Sequence, residues 1–283
     1  MSIDEAVVKR AAGLIAAADA LIVGAGAGMG VDSGLPDFRG EEGFWRAYPA
    51  LRQAHIDFYN IASPAAFFES PERAWGFYGH RLALYRNTTP HSGFAFLKRW
   101  GENLPHGVSV FTSNVDGQFQ KAGFDPNRIH ECHGSISHLQ CLEPCCEEIW
   151  SADDFQPDVD EQNCLLRNPP PVCPHCGGMA RPNVLMFGDS GWIASRSGAQ
   201  GDRQAAWLAK VRQPVVIELG AGTAIPSVRH FSRYVTGKFG FGGRLIRINP
   251  NECEVPNRQD VSLKTGAAAG LAAIAEVLGD VWK

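Results

Sequence analysis

The stretch Gly26-Ala27-Gly28-Met29-Gly30-Val31-Asp32-Ser33-Gly34-Leu35-Pro36-Asp37-Phe38-Arg39-Gly40 directly follows the apolar run Leu21-Ile22-Val23. That order reads as a strand opening onto a phosphate-binding loop. Glycines let the backbone approach a pyrophosphate closely, and amides at the start of the following helix face its negative charge. A glycine-rich turn alone is a weak signal. Here Pro36-Asp37-Phe38-Arg39 adds polar and aromatic groups beside the phosphates, which makes the pattern more specific.

With 283 residues, 45% of them hydrophobic and 20% charged, the chain can bury a large core and form one substantial domain with smaller insertions. The formal net charge is -4, and no short window is dominated by Lys and Arg, which argues against a general nucleic-acid binder. Phosphate binding must therefore be local. Asp4 and Glu5 stand near the start, and the small-residue run Ala11 to Ala18 ends at Asp19, so neither a signal peptide nor a membrane span is read. A cytoplasmic protein without membrane or nucleic-acid partners is the expectation.

Working outward from the glycine loop, residues 5–18 read as a helix from the spacing of Ala6, Val7, Ala11, Leu14, Ile15 and Ala18. The runs Leu21–Val23, Val108–Phe111, Val184–Phe187, Val215–Leu219 and Leu245–Ile248 are short, apolar and without strict alternation, as parallel strands covered on both faces are. This points to an open α/β sheet. An aromatic-rich region between Gly40 and Thr89, containing Phe44, Trp45, Phe58, Trp75, Phe77 and Tyr78, reads as an insertion of helices. A second insertion, about residues 138–181, holds most of the cysteines. The segment Ser195 to Asp202, rich in glycine and small polar residues, reads as a mobile loop.

The chain has eight cysteines. Disulfide frameworks belong mainly to short secreted chains, and this one is neither. Cys141-Leu-Glu-Pro-Cys145 and Cys173-Pro-His-Cys176 instead resemble two knuckles, each presenting two thiolates from a tight turn. Four thiolates in tetrahedral array describe a closed structural zinc site; the alternative is buried free cysteine. Cys146 could stand in for Cys145, and His175 reads as exposed rather than coordinating.

In doubly wound sheets, ligands bind beyond the carboxyl ends of the strands. Those positions are polar here: Thr112-Ser113-Asn114-Val115-Asp116-Gly117, His130-Glu131-Cys132-His133-Gly134-Ser135, Gly220-Ala221-Gly222-Thr223 and Asn249. A strand-end Asn/Asp pair can orient a ribose or a water, and a histidine can move a proton near neutral pH. Taken singly, each is also an ordinary turn or capping residue. Their concentration at the ends of one sheet is what favours a site.

The chain resembles the sirtuins, NAD-dependent protein-lysine deacylases. Four ordered signatures carry the resemblance: Gly26-Ala27-Gly28 to Asp37-Phe38-Arg39, Thr112 to Asp116, His133-Gly134-Ser135, and the paired cysteines. Phe187-Gly188 and Gly222-Thr223 extend it over most of the chain. The resemblance implies a Rossmann-like, doubly wound parallel sheet formed by residues 1–40, 90–137 and 182–283. It also implies a smaller inserted domain made of a helical module, 41–89, and a zinc ribbon, 138–181. NAD would be a co-substrate and zinc structural, with an acylated lysine of a protein or peptide as partner. The products would be nicotinamide, an O-acyl-ADP-ribose and free lysine.

By the same resemblance His133 would be the general base that activates a ribose hydroxyl, with Asn114 and Asp116 as its catalytic companions ordering the nicotinamide ribose and amide. Gly26, Ala27, Gly28, Asp37, Phe38, Arg39 and Ser113 would line the pyrophosphate and nicotinamide side; Gly222, Thr223 and Asn249 would hold the remaining phosphate and the adenosine ribose. Val184, Phe187 and Gly188 would meet the substrate backbone by strand addition. Gly30, Ser113, Asp189 and Ala224 depart from the family pattern, where serine, glutamine, glutamate and serine are common; this bears on affinity and rate rather than on reaction type. An NAD glycohydrolase, a mono-ADP-ribosyltransferase and a non-catalytic NAD-sensing module are the alternative readings of the same fold.

Tyr78 and Arg81, three apart, fall on one face if their segment is helical. The pair resembles the Tyr-x-x-Arg of desuccinylase-type sirtuins, in which phenol and guanidinium grip a carboxylate at the end of the acyl chain. The competing reading is a surface arginine beside a packed tyrosine.

Overall fold

The computed structural model of the chain describes residues 3–36, 41–237, 243–279 and 282. The predicted cofactor contacts Asp37, Phe38 and Arg39 lie outside the described residues. In chain order the first elements are α1 (Glu5–Ala16), β1 (Ala20–Ala25), α2 (Gly28–Val31), α3 (Glu41–Ala47), α4 (Pro49–Gln53), α5 (Phe58–Ile61), α6 (Pro64–Glu69), α7 (Pro71–Asn87) and α8 (Ser92–Glu102). There follow β2 (Val108–Thr112), α9 (Gln118–Lys121), β3 (Ile129–Glu131), β4 (Gly134–Cys141), β5 (Trp150–Ser151), β6 (Val159–Asp160), β7 (Leu165–Leu166) and β8 (Ala180–Val184). The chain closes with α10 (Ser195–Leu208), β9 (Pro214–Leu219), α11 (Ser227–Thr236), β10 (Arg244–Ile248), β11 (Val261–Leu263) and α12 (Ala267–Leu278).

Six strands form one parallel sheet in the order β3-β2-β1-β9-β10-β11. This is the doubly wound order of a Rossmann-like fold, with its reversal between β1 and β9. Alternation along β1 explains why its sequence reads as uninterrupted apolar. Leu21 and Val23 join a core with Ile15, Trp100, Ile217 and Leu271 on one face, while Ala20 and Ile22 meet Trp207, Leu208 and Val235 on the other. Among the described residues no helix is long and apolar enough to cross a membrane.

A second core lies outside this sheet. Phe44, Leu51, Phe67, Trp75, Phe77 and Tyr78 from the helical module pack on Ile136, Leu139, Leu166, Val184 and Met186. A three-stranded sheet in the order β5-β4-β8 supplies the opposing layer. The Trp75 indole N–H donates to the Ala180 carbonyl at 3.0 Å and fixes α7 to β8. The helices and the cysteine-bearing ribbon thus share one interior.

Three expectations need correction. The run 184–187 is not a strand of the large sheet: β8 ends at Val184 and runs antiparallel to β4. Pro182 gives the reason, since a residue without an amide hydrogen suits an edge strand and not a central parallel one. The second core accordingly takes in strands from Gly134 to Val184, a wider span than 138–181. The third concerns residues 195–202, which form the start of helix α10 and not a mobile loop. Its buried face is Ser197, Gln200, Gln204, Trp207 and Leu208, so a helical period is present but written mostly in polar residues.

Helix α7 crosses the Cys164–Leu165 backbone so closely that a Cβ on Gly76 would lie 2.3 Å from the Cys164 carbonyl oxygen. Gly198 in α10 has no atom within 4 Å of such a Cβ. Urea unfolding should therefore show Gly76→Ala destabilised by about 2 kcal/mol or more through overpacking. Gly198→Ala should be stabilised by roughly 0.5–1 kcal/mol through helix propensity alone. Equal effects at the two sites would contradict this packing.

Candidate active site

The ends of β1 and β9 meet at the reversal of the sheet. A Cβ on Gly26 would lie 2.6 Å from the Gly220 carbonyl oxygen, and one on Gly28 would lie 2.7 Å from Gly220 Cα. Gly220 itself has a φ of 57°. Only glycine satisfies all three positions. The glycine loop thus lies against the loop of the neighbouring strand, leaving a bare backbone surface where a pyrophosphate can approach. Its amides are used differently from expectation: those of Gly28, Met29 and Gly30 donate to the carbonyls of Gly220, Gly26 and Ala27. The helix α2 that follows is a single turn of four residues, too short to aim a row of amides at an anion.

Beside this loop lies a cavity of about 260 Å³. Ala27, Ser113, Asn114, Asp116 and His133 line it from the large sheet, Tyr78, Arg81 and Tyr85 from α7, and Val184 to Phe187 from the segment after β8. Asn114 is held by two bonds: its side-chain amide donates to the Gly26 carbonyl at 2.9 Å, and its backbone amide donates to Thr112 Oγ1 at 3.0 Å. Ser113 is 2% exposed, and its hydroxyl is buried without a partner. A ligand hydroxyl reaching this wall would satisfy it, which fits a ribose.

Asp116 accepts the Gln118 amide at 3.0 Å. Burial pushes its carboxyl up to about 6, with Glu131 raising it further and Arg81 opposing. His133 sits between β3 and β4, its carbonyl accepting the Leu185 amide at 2.9 Å and its Nε2 lying 3.1 Å from Ser227 Oγ at the start of α11. The imidazole is therefore positioned from both sides. Tyr78 stacks on Phe67 with centroids 5.6 Å apart, and burial pushes its phenol up to about 12, so it remains a hydrogen-bond donor at neutral pH. The Arg81 guanidinium is buried, donates twice to the Tyr85 hydroxyl at 3.1 and 2.9 Å, and stands 5.1–5.7 Å from the ring centroids of Phe77, Tyr78 and Tyr85.

Not every predicted residue joins this cavity. Gly222 and Thr223 lie outside it on the exposed loop after β9, with the Thr223 hydroxyl donating to Glu252 at 2.9 Å. Asn249 was expected to hold a ribose, yet its amide is consumed locally. Nδ2 donates to the Ala221 carbonyl at 3.1 Å, and Oδ1 accepts the amides of Asn251 and Glu252, both at 2.9 Å. It braces the loop that would carry the adenosine end. Strand addition along 184–188 is restricted too, because the amides of Leu185, Met186 and Phe187 donate to His133, Asp189 and Ala62. Gly188 lies beyond the cavity, so a substrate backbone can meet this segment mainly through its carbonyls. Sequence reading missed Tyr85 and Ser227. Tyr85 was accessible as the fourth residue after Arg81 on a helix, whereas Ser227 meets His133 only through the fold.

In the ribbon, Cys141 Sγ lies 3.6 Å from Cys176 Sγ and Cys145 Sγ lies 3.6 Å from Cys173 Sγ, with all four sulfurs within 4.8 Å of one another. A tetrahedral zinc with bonds of about 2.3 Å would place its sulfurs about 3.8 Å apart, so the four fit the ion. Cys145, not Cys146, completes this set.

The Sir2 family profile matches residues 26–199. The chain belongs to the Sir2 family. An NAD-dependent protein deacylase of Aquifex aeolicus is 28% identical over 253 residues, spanning 89% of this chain and 92% of that protein. A protein of the same name from Mycobacterium leprae is 29% identical over 256 residues, covering 89% and 94%. Among solved structures, a Sir2 homologue in complex with NAD superposes with a TM-score of 0.69 at 25% identity, covering 97% of this chain and 93% of that one. An ADP-ribose complex of a Sir2 homologue mutant matches with a TM-score of 0.67 at 25% identity, covering 97% and 96%.

The half-buried Asp116 carboxyl gives this Sir2 site a pH signature. Its proton affinity is higher in the folded than in the unfolded chain, so the stability it contributes is full below about pH 4 and is lost as pH rises through about 6. Asp116→Asn keeps an acceptor for the Gln118 amide and cannot ionise. In denaturant titrations the variant should exceed the parent by up to about 3 kcal/mol at pH 8, and the gap should close near pH 4. Parallel stability curves would show that the carboxyl is not desolvated.

Proposed function

We propose that this protein is an NAD-dependent protein-lysine deacylase whose acyl pocket selects chains ending in a carboxylate, such as succinyl or malonyl. The observation that carries this is the meeting, in one cavity, of Asn114, Asp116 and His133 with Tyr78 and Arg81. The carbonyl oxygen of the acyl-lysine would form a bond to the nicotinamide-bearing ribosyl carbon of NAD as the bond to nicotinamide breaks, leaving an imidate-like adduct. Asn114, anchored to the glycine loop, and the orphan hydroxyl of Ser113 orient the ribose. His133 takes the proton from a ribose hydroxyl that attacks the acyl carbon. The walls at Tyr78, Arg81 and Val184 to Phe187 would shield the ribosyl carbon from bulk water until the acyl oxygen has attacked. The lysine nitrogen would leave the acyl carbon as the free amine, and one water would open the resulting cyclic intermediate to an acyl ester of ADP-ribose.

Tyr78 and Arg81 together support the acyl preference. A guanidinium held by Tyr85 among three aromatic rings is fixed in orientation, and its planar fork matches a carboxylate in two parallel hydrogen bonds. The Tyr78 phenol is a donor beside it. A cytoplasmic setting fits a chain in which no disulfide links the described cysteines.

Mass spectrometry of one lysine peptide, acetylated or succinylated and incubated with and without NAD, tests both parts. Acyl loss should require NAD and fall roughly 10²–10⁴-fold in His133→Ala. Arg81→Met should slow desuccinylation about 10- to 100-fold, the value of a charge-assisted pair, while leaving deacetylation nearly unchanged. Consumption of NAD with both peptides untouched would overturn the deacylase reading; equal rates on the two peptides in parent and variant would overturn the acyl preference alone.

A further inference from the structure

The cysteine ribbon carries a second set of metal-binding side chains. Cys146 Sγ lies 3.8 Å from Cys145 Sγ and belongs to no pair in the four-thiolate cluster. Across from it, the Glu148 carboxylate is hydrogen-bonded to His175 Nε2. The sulfur of Cys146, a carboxylate oxygen of Glu148 and a ring nitrogen of His175 all lie within 4.8 Å of one another. We propose that Cys146, Glu148 and His175 form a second, solvent-accessible zinc site beside the four-cysteine centre.

The donor set argues for the ion. Three protein ligands drawn from thiolate, imidazole and carboxylate, with a fourth position left to solvent, describe an open zinc site. A thiolate and an imidazole together disfavour magnesium and calcium, which take oxygen ligands. The placement argues for it too. Both knuckles divide their residues between the two centres: Cys141 and Cys145 against Cys146 and Glu148 in the first, Cys173 and Cys176 against His175 in the second. Filling the inner centre therefore holds the outer donors together. Four thiolates around one divalent zinc leave a net charge of about -2, which attracts a second cation at close range.

The competing view is an ordinary surface ion pair between His175 and Glu148, whose side chains are 49% and 50% exposed, with Cys146 a bystander. Such a pair is worth little in stability. Exposure also means that the three side chains can draw inward to bonding distance without disturbing a packed core.

Counting metal on the intact chain separates the two views. The protein is saturated with zinc, freed of excess ion, and analysed by elemental mass spectrometry before and after a brief challenge with a chromophoric chelator. Two zinc ions per chain are expected, one released rapidly and one retained. Cys146→Ser and the double variant Glu148→Gln/His175→Ala should each hold one, with unchanged melting temperatures, since all three side chains lie outside the inner centre. Cobalt added to the zinc-retaining parent should give a thiolate charge-transfer band that disappears in Cys146→Ser. One zinc in the saturated parent, or a second zinc that survives the double variant, would overturn the site. Loss of both ions from Cys146→Ser, with Cys145→Ser retaining its zinc, would overturn it by making Cys146 an inner ligand.

Discussion

The contact on which this molecule depends is the meeting of three glycines, Gly26, Gly28 and Gly220, where β1 and β9 end. The reversal of strand order opens a crevice there, but a crevice becomes a dinucleotide site only if the two loops leave backbone exposed at close range. Side chains at these positions would push the loops apart. Asn114 is tied to the carbonyl of Gly26, so a displaced glycine loop would carry the Asn114 side chain with it. The loop after β9 would move as well, together with its braces to Asn249 and Arg229. One steric constraint at the sheet's midline thus sets the geometry of the loops on both sides of the crevice.

A second theme is that buried or half-buried arginines fasten several walls of the site. Arg181 holds Asp189 through two bonds of 2.6 and 2.8 Å with both side chains fully buried, and Asp189 in turn accepts the Met186 and Gly191 amides. Arg196 grips Glu131 at the end of β3, two residues before His133. Arg229 binds the Ala221 carbonyl and Glu252. The fully buried Arg181–Asp189 pair adds little net stability, because desolvation offsets its attraction, but removing one partner would be severe. The value of these pairs here lies in orientation: each prevents a loop at a strand end from choosing another conformation.

The central sheet was legible in the sequence because parallel strands covered on both faces leave apolar-rich runs without strict alternation, such as 215–219 and 245–248, whose single charged residues Glu218 and Arg247 pair with each other, and the polar residues behind them marked the working end. The four zinc-type cysteines were legible for a similar reason: close pairs in a tight turn leave a spacing that does not depend on the rest of the fold. What sequence could not supply was tertiary competition for polar groups. Asn249 looks like a free strand-end amide until Ala221, Asn251 and Glu252 take its hydrogen bonds. Helix α10 hid its period because Gln200 and Gln204 are buried by bonding to Glu131 and Val110, not by being apolar. The sheet membership of β8 was readable from Pro182 but was masked by the apolar run Val184 to Phe187 after it. Ser227 and His133 are 94 residues apart in sequence and adjacent only once α11 docks.

On the acyl preference proposed above, the placement of Arg81 bears on how the pocket would discriminate. Specificity is a difference between affinities and can come from a penalty on the wrong ligand as much as from a gain with the right one. A neutral acyl chain entering this cavity covers the guanidinium and displaces water from it without offering an acceptor in return, which weakens binding. A carboxylate-ended chain replaces the displaced water with charge-assisted bonds to a fork already oriented by Tyr85, so little side-chain entropy is lost. The nearby Asp116 sharpens the contrast. Its carboxyl, raised by burial, is partly protonated near pH 6, which reduces the repulsion that a second carboxylate would otherwise meet in the same cavity. On that proposal the discrimination would be steepest where Asp116 is neutral and Arg81 charged, the two groups acting on the acyl chain together.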